Sequence, residues 1–277
     1  MLNQVYVDDI IKRALLEDIN YLDISSDFLF EPDHTSRAQI ISKDEGVLCG
    51  LPVFLRVFEL LDPTFSAQAF KKDGDTLKKG DLIAEFEGAT LMLLKGERTA
   101  LNLIQHMSGI ASQTALVVKA VAGTRAQIAD TRKTLPGLRA LQKYAVSVGG
   151  GKNHRFNLSD AAMLKDNHID AAGSITKAVE ILRSKLGHMV KIEVETRNLG
   201  EVKEALKTGV EVIMLDNMTN ETMKEAVELV SGRAILEASG GITLEKIREV
   251  AQTGVDLISL GALPHSVKAF DISMKIV

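Results

Sequence analysis

Six basic side chains and two carboxylates recur in this sequence at a spacing that would gather them at one end of a repeated structural unit. From about Thr124 onward the chain cycles through an apolar run, a polar cluster and a helical segment, the runs being AQIADT, DAAMLKD, VKIEVET, EVIMLDN, AILEASGG and DLISLGA. Their polar ends fall near Thr131, Lys165, Glu195, Asp216, Ser239 and Ser259, separated by 34, 30, 21, 23 and 20 residues. The early units and the helix before them supply Arg98, Arg132, Lys133, His154, Arg155 and Lys165, and the later units supply Glu195 and Asp216. Such cations fit a ligand bearing several carboxylates or phosphates, because the guanidinium fork pairs bidentately with planar anions. Carboxylates opposite them suit sugar hydroxyls or a magnesium ion. The turn SGGIT, with Ser239, Gly240 and Gly241, lies between a strand and an expected helix start at Thr243, so its amides and the helix dipole would cradle a phosphate. Gly261, two residues past Ser259, supplies a second such turn.

The elements that must position these groups follow from periodicity. GEVKEALKTG, TNETMKEAVELV and TLEKIREVAQTG are helical in pattern, with Thr219 and Thr243 as starts and Gly209 and Gly254 as C-caps. Alternation with the apolar runs makes a βα repeat. Six units in about 150 residues imply a parallel sheet, closed as a TIM-like barrel or open and doubly wound, with ligands at the carboxyl ends of the strands. In KIEVET, period-two alternation puts Lys191, Glu193 and Glu195 on one face and Ile192, Val194 and Thr196 on the other. Helices would cover the apolar face, so the three charges would point into the barrel.

Before Thr124 the pattern is different. A helix over Val7–Asp18 precedes short strand-like runs, RAQIISKD, GVLCG, TFSAQAFKKDGD and DLIAEFEG, and then a helical stretch from Ala89 to about Ala122. The expected division is an α+β domain over residues 1–110 and an α/β barrel over 111–264, with the tail 265–277 a candidate to pack on the first domain. KKDGDTLKKGDLIAEFEG also looks like a fragment of a biotinyl or lipoyl carrier. Lys78 and Lys79 sit beside Gly80 rather than between apolar residues, which favours an ordinary solvated turn.

Composition narrows the field. With 277 residues, 45% hydrophobic and 25% charged, the chain can bury a full core, which excludes disordered and collagen-like architectures. A net charge of -4 and 4% aromatic residues with no Trp give neither the basic excess nor the stacking platforms of nucleic-acid binders. The one cysteine, Cys49, rules out an intrachain disulfide and thiolate metal cages. MLNQVYVDDIIKRALLEDI has four acidic residues and no apolar signal core, so a cytoplasmic protein is expected. The charge-free stretch Thr99–Val118 carries Asn102, Gln105, His106, Ser108, Ser112, Gln113 and Thr114, and it reads as a buried helix rather than a membrane span.

Plainer readings compete at each position. Arg98 on a helix is ordinarily solvated or ion-paired, Lys165 could instead be the Schiff-base lysine of an aldolase-like barrel although the surrounding arginines favour anion binding, Glu195 and Asp216 would serve in a structural ion-pair network, and Gly240 and Gly241 could simply shape a turn. His106, His188 and His265 lack metal-ligand spacing and read as structural, and no protein metal site is expected.

The segments GERTALNLIQHMSGIAS, DTRKTLPGLRALQKYAV, GGGKNHRFNLSDAAMLKDNHI, KIEVET, IMLDN, EASGGIT and SLGALPHS closely resemble the quinolinate phosphoribosyltransferase family. The resemblance runs over nearly the whole chain. It implies an amino-terminal α+β sandwich domain with an incomplete α/β barrel, and a homodimer, sometimes a hexamer, whose active site is completed by the partner. The implied reaction joins quinolinate to phosphoribosyl pyrophosphate, with Mg²⁺ bound mainly through the pyrophosphate, giving nicotinate mononucleotide, pyrophosphate and CO₂ on the route to NAD. Carried over by position, the quinolinate cations are Arg98 (donated by the neighbouring subunit), Arg132, Lys133, His154, Arg155 and Lys165. Glu195 and Asp216 face the ribose and the metal-bound pyrophosphate, while Ser239, Gly240, Gly241 and Gly261 form the 5′-phosphate site. Thr131 and Ser259 complete the substrate-binding set, with Lys133, Lys165, Glu195 and Asp216 as the catalytic residues. The triad Asn153, His154 and Arg155 favours a dicarboxylate over the substrate of a nicotinate-type or molybdenum-transport-associated relative. The acidic pair and Thr-Gly-rich loop of the commoner phosphoribosyltransferase fold do not occur.

Overall fold

The computed structural model describes residues 2–277. In chain order the elements are α1 (Gln4–Asp18), α2 (Ser26–Leu29), β1 (Thr35–Ser42), β2 (Gly46–Val47), α3 (Leu51–Leu61), β3 (Ser66–Ala69), β4 (Thr76–Leu77), β5 (Leu82–Ala89) and α4 (Thr90–Ala120). They continue as β6 (Gln127–Ala129), α5 (Arg139–Val148), β7 (Ala162–Leu164), α6 (Asp166–Ala172), α7 (Ile175–Arg183), β8 (Ile192–Thr196) and α8 (Leu199–Lys207). The last are β9 (Val212–Asp216), α9 (Asn220–Val230), β10 (Ile235–Ser239), α10 (Ile247–Ala251), β11 (Leu257–Ser259), α11 (Ala262–His265) and β12 (Ile272–Ile276). Two compact units result. One comprises the residues up to Ala115 with Thr134–Gly150 and Leu263–Val277, the other Leu116–Lys133 and Gly151–Ala262. These units are discontinuous along the chain, with α5 and the carboxyl-terminal tail belonging to the first.

In the first unit β12, β1, β5 and β3 form an antiparallel sheet in that order, and β2 pairs with β4. The tail strand lies along β1, with Ala38 opposite Ile276 and Ser42 opposite Ile272. Helix α1 starts where the Asn3 side chain accepts the Val5 N–H, and it buries Val7, Ile10, Ile11 and Leu15, a stripe of helical spacing. Helix α3 contributes Phe54 and Phe58 to a cluster with Phe65 and Phe86, ring centroids 5.2–5.8 Å apart. Lys78 and Lys79 occupy the turn before β5, where Asp81 accepts the Lys78 N–H and pairs with Lys71 at 3.1 Å.

Three polar residues in the charge-free stretch Thr99–Val118 of α4 are satisfied within this unit. Gln105 donates to the Ile272 carbonyl, Ser108 bonds the backbone of Cys49, and Ser112 accepts the Val47 N–H. His106 lies 3.0 Å from the Gln142 amide, and burial holds its pKa below the usual imidazole value. Among the described residues, no helix is long and apolar enough to cross a membrane.

The second unit is a six-stranded parallel sheet in the order β6-β11-β10-β9-β8-β7. The first strand pairs with the last and the others follow in sequence. That order decides between the two expected architectures: it is an α/β barrel open along one seam, between β6 and β7, whereas a doubly wound sheet would reverse direction at its centre. Ile192, Val194 and Thr196 of β8 are buried, as are Glu193 and, partly, Glu195, but Lys191 precedes the strand and is exposed. Helix α9 begins at Thr219, whose side chain accepts the Thr222 N–H. Helix α10 begins at Ile247 rather than Thr243, because the Thr243 carbonyl first closes a turn by accepting the N–H groups of Lys246 and Ile247.

A Cβ added at Gly109 in α4 would lie 2.2 Å from the Lys268 carbonyl oxygen and 3.1 Å from Val267. Gly109→Ala is expected to push the tail off the helix and cost about 1–3 kcal/mol of stability, the usual penalty of overpacking, measured by urea denaturation.

Candidate active site

The barrel seam carries the first part of the site. Between β6 and β7 the ladder is reduced to a bridge between Ala129 and Lys152, with Lys152 N–H donating to the Ile128 carbonyl at 2.7 Å and Asp130 N–H to the Lys152 carbonyl at 3.1 Å. The fully buried Asp130 continues where the strand stops. Its carboxylate accepts the Asn153 side-chain amide at 2.7 Å and the His154 N–H at 2.8 Å. This fixes the 153–155 loop over the strand ends. Asp130 lies one residue before Thr131 in AQIADT, and its position at a strand end was the available signal for a residue the sequence reading passed over.

Arg155 leaves this loop, and its guanidinium donates to the Ala161 carbonyl at 2.9 Å and to the Met163 sulfur at 3.5 Å. Burial first and the nearby charge of Arg132 second pull its pKa down, with Glu193 and Asp160 acting in the opposite direction. His154 Nε2 lies 3.0 Å from Glu193 and 3.6 Å from Glu237, two carboxylates of the barrel interior. Burial first and the Glu193 charge second push the Glu237 carboxyl up to about 7, with His154 acting in the opposite direction. Glu237 is two residues before Ser239 and so on the same face of β10, an alternation the sequence contained but which was not used.

Further round the rim, Lys165 caps the end of β7 and its ammonium reaches Glu195 on β8 at 3.0 Å, with the lysine half-exposed and the glutamate largely buried. Asp216 ends β9 and accepts the Asn217 side-chain amide at 2.8 Å. Asn217 itself is left-handed (φ 53°), and its N–H donates to the Ser239 carbonyl. Gly240 and Gly241 have φ of 93° and 59°, and a Cβ at Gly240 would come within 2.3 Å of the Asn217 side-chain oxygen, so glycine is required there. A cavity of about 440 Å³ opens beside these glycines, lined also by Asn217, Thr219, Lys246 and Glu249. The regular helix starts six residues after Gly241, so the cradle expected there rests on the turn rather than on a helix beginning at Thr243. Ser259 is buried at the end of β11, Gly261 precedes α11, Thr131 accepts the Lys133 N–H at 3.1 Å, and Lys133 is exposed. Thus the expected residues from Thr131 to Gly261 share the carboxyl-terminal end of one parallel sheet. Arg98 belongs to the other unit, exposed on α4.

Basic residues following β6 and β7, carboxylates ending β8 and β9, and a left-handed glycine turn after β10 define an α/β-barrel enzyme site for anionic, phosphate-bearing substrates. Comparison with known proteins makes that class specific. The family models of the quinolinate phosphoribosyltransferase N-terminal and C-terminal domains match residues 23–108 and 110–275, and the chain belongs to this family. It is 46% identical to the Bacillus subtilis (strain 168) protein named "Probable nicotinate-nucleotide pyrophosphorylase (carboxylating)", over 99% of this chain and 95% of that one. It is 44% identical to the chloroplastic nicotinate-nucleotide pyrophosphorylase (carboxylating) of Arabidopsis thaliana, over 96% and 82%. The crystal structure of NadC from Streptococcus pyogenes superposes with a TM-score of 0.96 at 45% identity, covering 100% of this chain and 99% of that one. Human nicotinic acid phosphoribosyltransferase, 14% identical over 88% of this chain and 70% of that one, with a TM-score of 0.56, shares the fold alone.

Removing the seam carboxylate in Asp130→Ala leaves the Asn153 amide and the His154 N–H without this acceptor. A loss of about 3 kcal/mol is expected, the scale for charge-assisted hydrogen bonds, read as a lower midpoint of chemical unfolding.

Proposed function

We propose that this protein transfers the phosphoribosyl group of phosphoribosyl pyrophosphate to quinolinate and decarboxylates the product, yielding nicotinate mononucleotide, pyrophosphate and CO₂ in de novo NAD biosynthesis. The observation that carries the reading is the division of charge round one rim, from Arg132 and Arg155 through the Lys165–Glu195 pair to Asp216 and the Gly240–Gly241 turn. Both substrates are anions, and the basic side chains offset their mutual repulsion in a partly dehydrated site. Arg132, Lys133, His154, Arg155 and Lys165 are assigned to the pyridine dicarboxylate. Ser239, Gly240, Gly241 and Gly261 are assigned to the 5′-phosphate, the cavity beside the glycine turn being large enough for a phosphorylated sugar. Thr131 and Ser259 line the same rim. Glu195 and Asp216, oxygen donors on adjacent strands, suit the ribose hydroxyls. Magnesium arrives as the phosphoribosyl pyrophosphate complex, held mainly through the pyrophosphate.

The chemistry follows from the charges. The ring nitrogen attacks C1 of the ribose as the bond to pyrophosphate breaks, and Glu195 or Asp216 stabilises the positive charge that develops on the sugar. Alkylated at nitrogen, the ring is a pyridinium, which accepts the electron pair left when the adjacent carboxylate departs as CO₂. Lys133 or Lys165 supplies the positive charge near the resulting carbanion, which then takes up a proton.

A second copy of the chain completes the site in this reading. Tyr21, Ile24, Phe28 and Leu29 are each more than 70% exposed, an apolar cluster that suits burial between protomers. Arg98, exposed on α4, would reach the partner's substrate. A reducing compartment such as the cytoplasm suits a chain whose one thiol, Cys49, is buried and held protonated by that burial.

Release of labelled CO₂ from quinolinate, dependent on phosphoribosyl pyrophosphate and Mg²⁺, tests the activity directly, and its absence would overturn the reading. Arg132→Ala is expected to raise KM for quinolinate, and Lys165→Ala or Glu195→Ala to lower kcat by roughly 10²–10³-fold, the scale for one preorganised charge. Mixing inactive Arg98→Ala and Lys165→Ala chains should restore part of the activity if the site is shared between protomers, and should restore none if each chain works alone.

A further inference from the structure

Beneath the rim of the barrel lies a buried group that the reaction itself does not use. His154, from the seam loop, meets Glu193 of β8 and Glu237 of β10, whose side chains are only 7% and 1% exposed. One oxygen of each carboxylate, Oε1, is buried with no hydrogen-bond partner. Two buried carboxylates cannot both remain charged beside a neutral imidazole without a large desolvation cost, so either a cation or a proton must be held here.

The ring of His154 decides which. Its Nδ1 accepts the backbone N–H of Arg155 at 2.8 Å, so Nδ1 carries the lone pair and the proton of the neutral ring sits on Nε2. Nε2–H then donates to Glu193 at 3.0 Å. The three side chains have donor atoms close enough for a metal ion, but a metal would have to bind at Nε2, where the proton is. A shared proton meets the charge of the two carboxylates without a metal ion, and in that arrangement both ring nitrogens of His154 are engaged by protein groups.

We propose that Glu193 and Glu237 are positioning residues for the dicarboxylate substrate, fixing His154 as its neutral Nε2–H tautomer so that Nδ1 anchors the Arg155 backbone and aims that guanidinium. This rests on the function proposed above and refines it: two residues and a tautomer are added, and His154 serves the dicarboxylate through Arg155 rather than by a charge or a ring nitrogen of its own. In the proposed arrangement Glu193 is the charged acceptor and Glu237 carries the shared proton. Glu237 is faced by Glu193, His154, the hydroxyl of Ser259 and the charge of Asp130, and Arg155 lies within electrostatic reach of Glu193. The raised Glu237 carboxyl gives the direction of a pH effect. Stability from the protonated acid is complete below the ordinary glutamate range, and it is lost as pH rises through about 7. Glu237→Gln, which mimics the protonated acid, should flatten that loss between pH 5 and 8.

The test has a spectroscopic arm and a kinetic arm. Long-range ¹H–¹⁵N correlation of the imidazoles in the unmodified chain, with His154 assigned through His154→Gln, should show a neutral Nε2–H ring at pH 7. An imidazolium or an Nδ1–H ring there would overturn the proposal. In kinetics, Glu193→Ala should raise KM for quinolinate about tenfold, the equivalent of one hydrogen bond, with KM for phosphoribosyl pyrophosphate unchanged. Glu193→Gln, whose amide oxygen still accepts Nε2–H, should recover most of the loss, and Glu237→Gln should stay within about threefold of the native chain, less than one hydrogen bond is worth. A Gln variant at 193 as impaired as the Ala variant, or equal changes in both KM values, would equally refute it. The tautomer measurement needs no turnover, so a chain without phosphoribosyl-dependent decarboxylation of quinolinate would sink the proposed reaction and still leave the state of His154 decided.

Discussion

A parallel barrel that stops at six strands has two edges facing each other, and their backbone groups must find partners without a continuous ladder. Here Asp130 meets that constraint. Its carboxylate stands in for the missing ladder, accepting from the side chain of Asn153 and the backbone of His154, while Lys152 makes the remaining backbone bridge. The loop so fixed carries Arg155, whose guanidinium is braced in turn by Ala161 and Met163 on the way into β7. The open seam thus holds Arg155, one of the cations proposed to bind the substrate, so that the architecture and the proposed site share one solution.

Charge separation round the rim is the second consequence of the strand order. Units that precede the middle of the sheet end in Arg132, Arg155 and Lys165, and units that follow end in Glu195 and Asp216, with Lys165 and Glu195 meeting at the boundary. Burial first and the charge of Arg132 second hold the Arg155 pKa down, so an anion placed against this guanidinium would gain from a cation that water solvates poorly.

Much of this was legible in the residues. The βα repeat pointed to the six parallel strands because apolar runs ending in Thr131, Lys165, Glu195, Asp216, Ser239 and Ser259 leave few other ways to bury their apolar faces. Periodicity alone left barrel and doubly wound sheet open, since strand order is a long-range property. Asp130 and Glu237 were missed for a related reason: both sit inside apolar runs, where a single acidic residue reads as a strand end or an exception until its partners across the barrel are known. Thr243 looked like a helix start by composition, but its carbonyl closes a 243–247 turn and the regular helix begins at Ile247. The packing of α5 and the tail with the first unit depended on contacts such as Gln142 with the Pro264 carbonyl, which no local pattern encodes.

The pairing of β12 with β1 joins segments more than 200 residues apart along the chain. On a ribosome, the first sheet to emerge must wait with one edge bare until nearly all of the barrel has been synthesised. During that interval the exposed strand is a site for wrong partners, including the same strand of a neighbouring nascent chain. Vectorial synthesis thus makes the order in which this protein is built differ from the order in which it is finished, and places its greatest demand on chaperones before the last strand arrives.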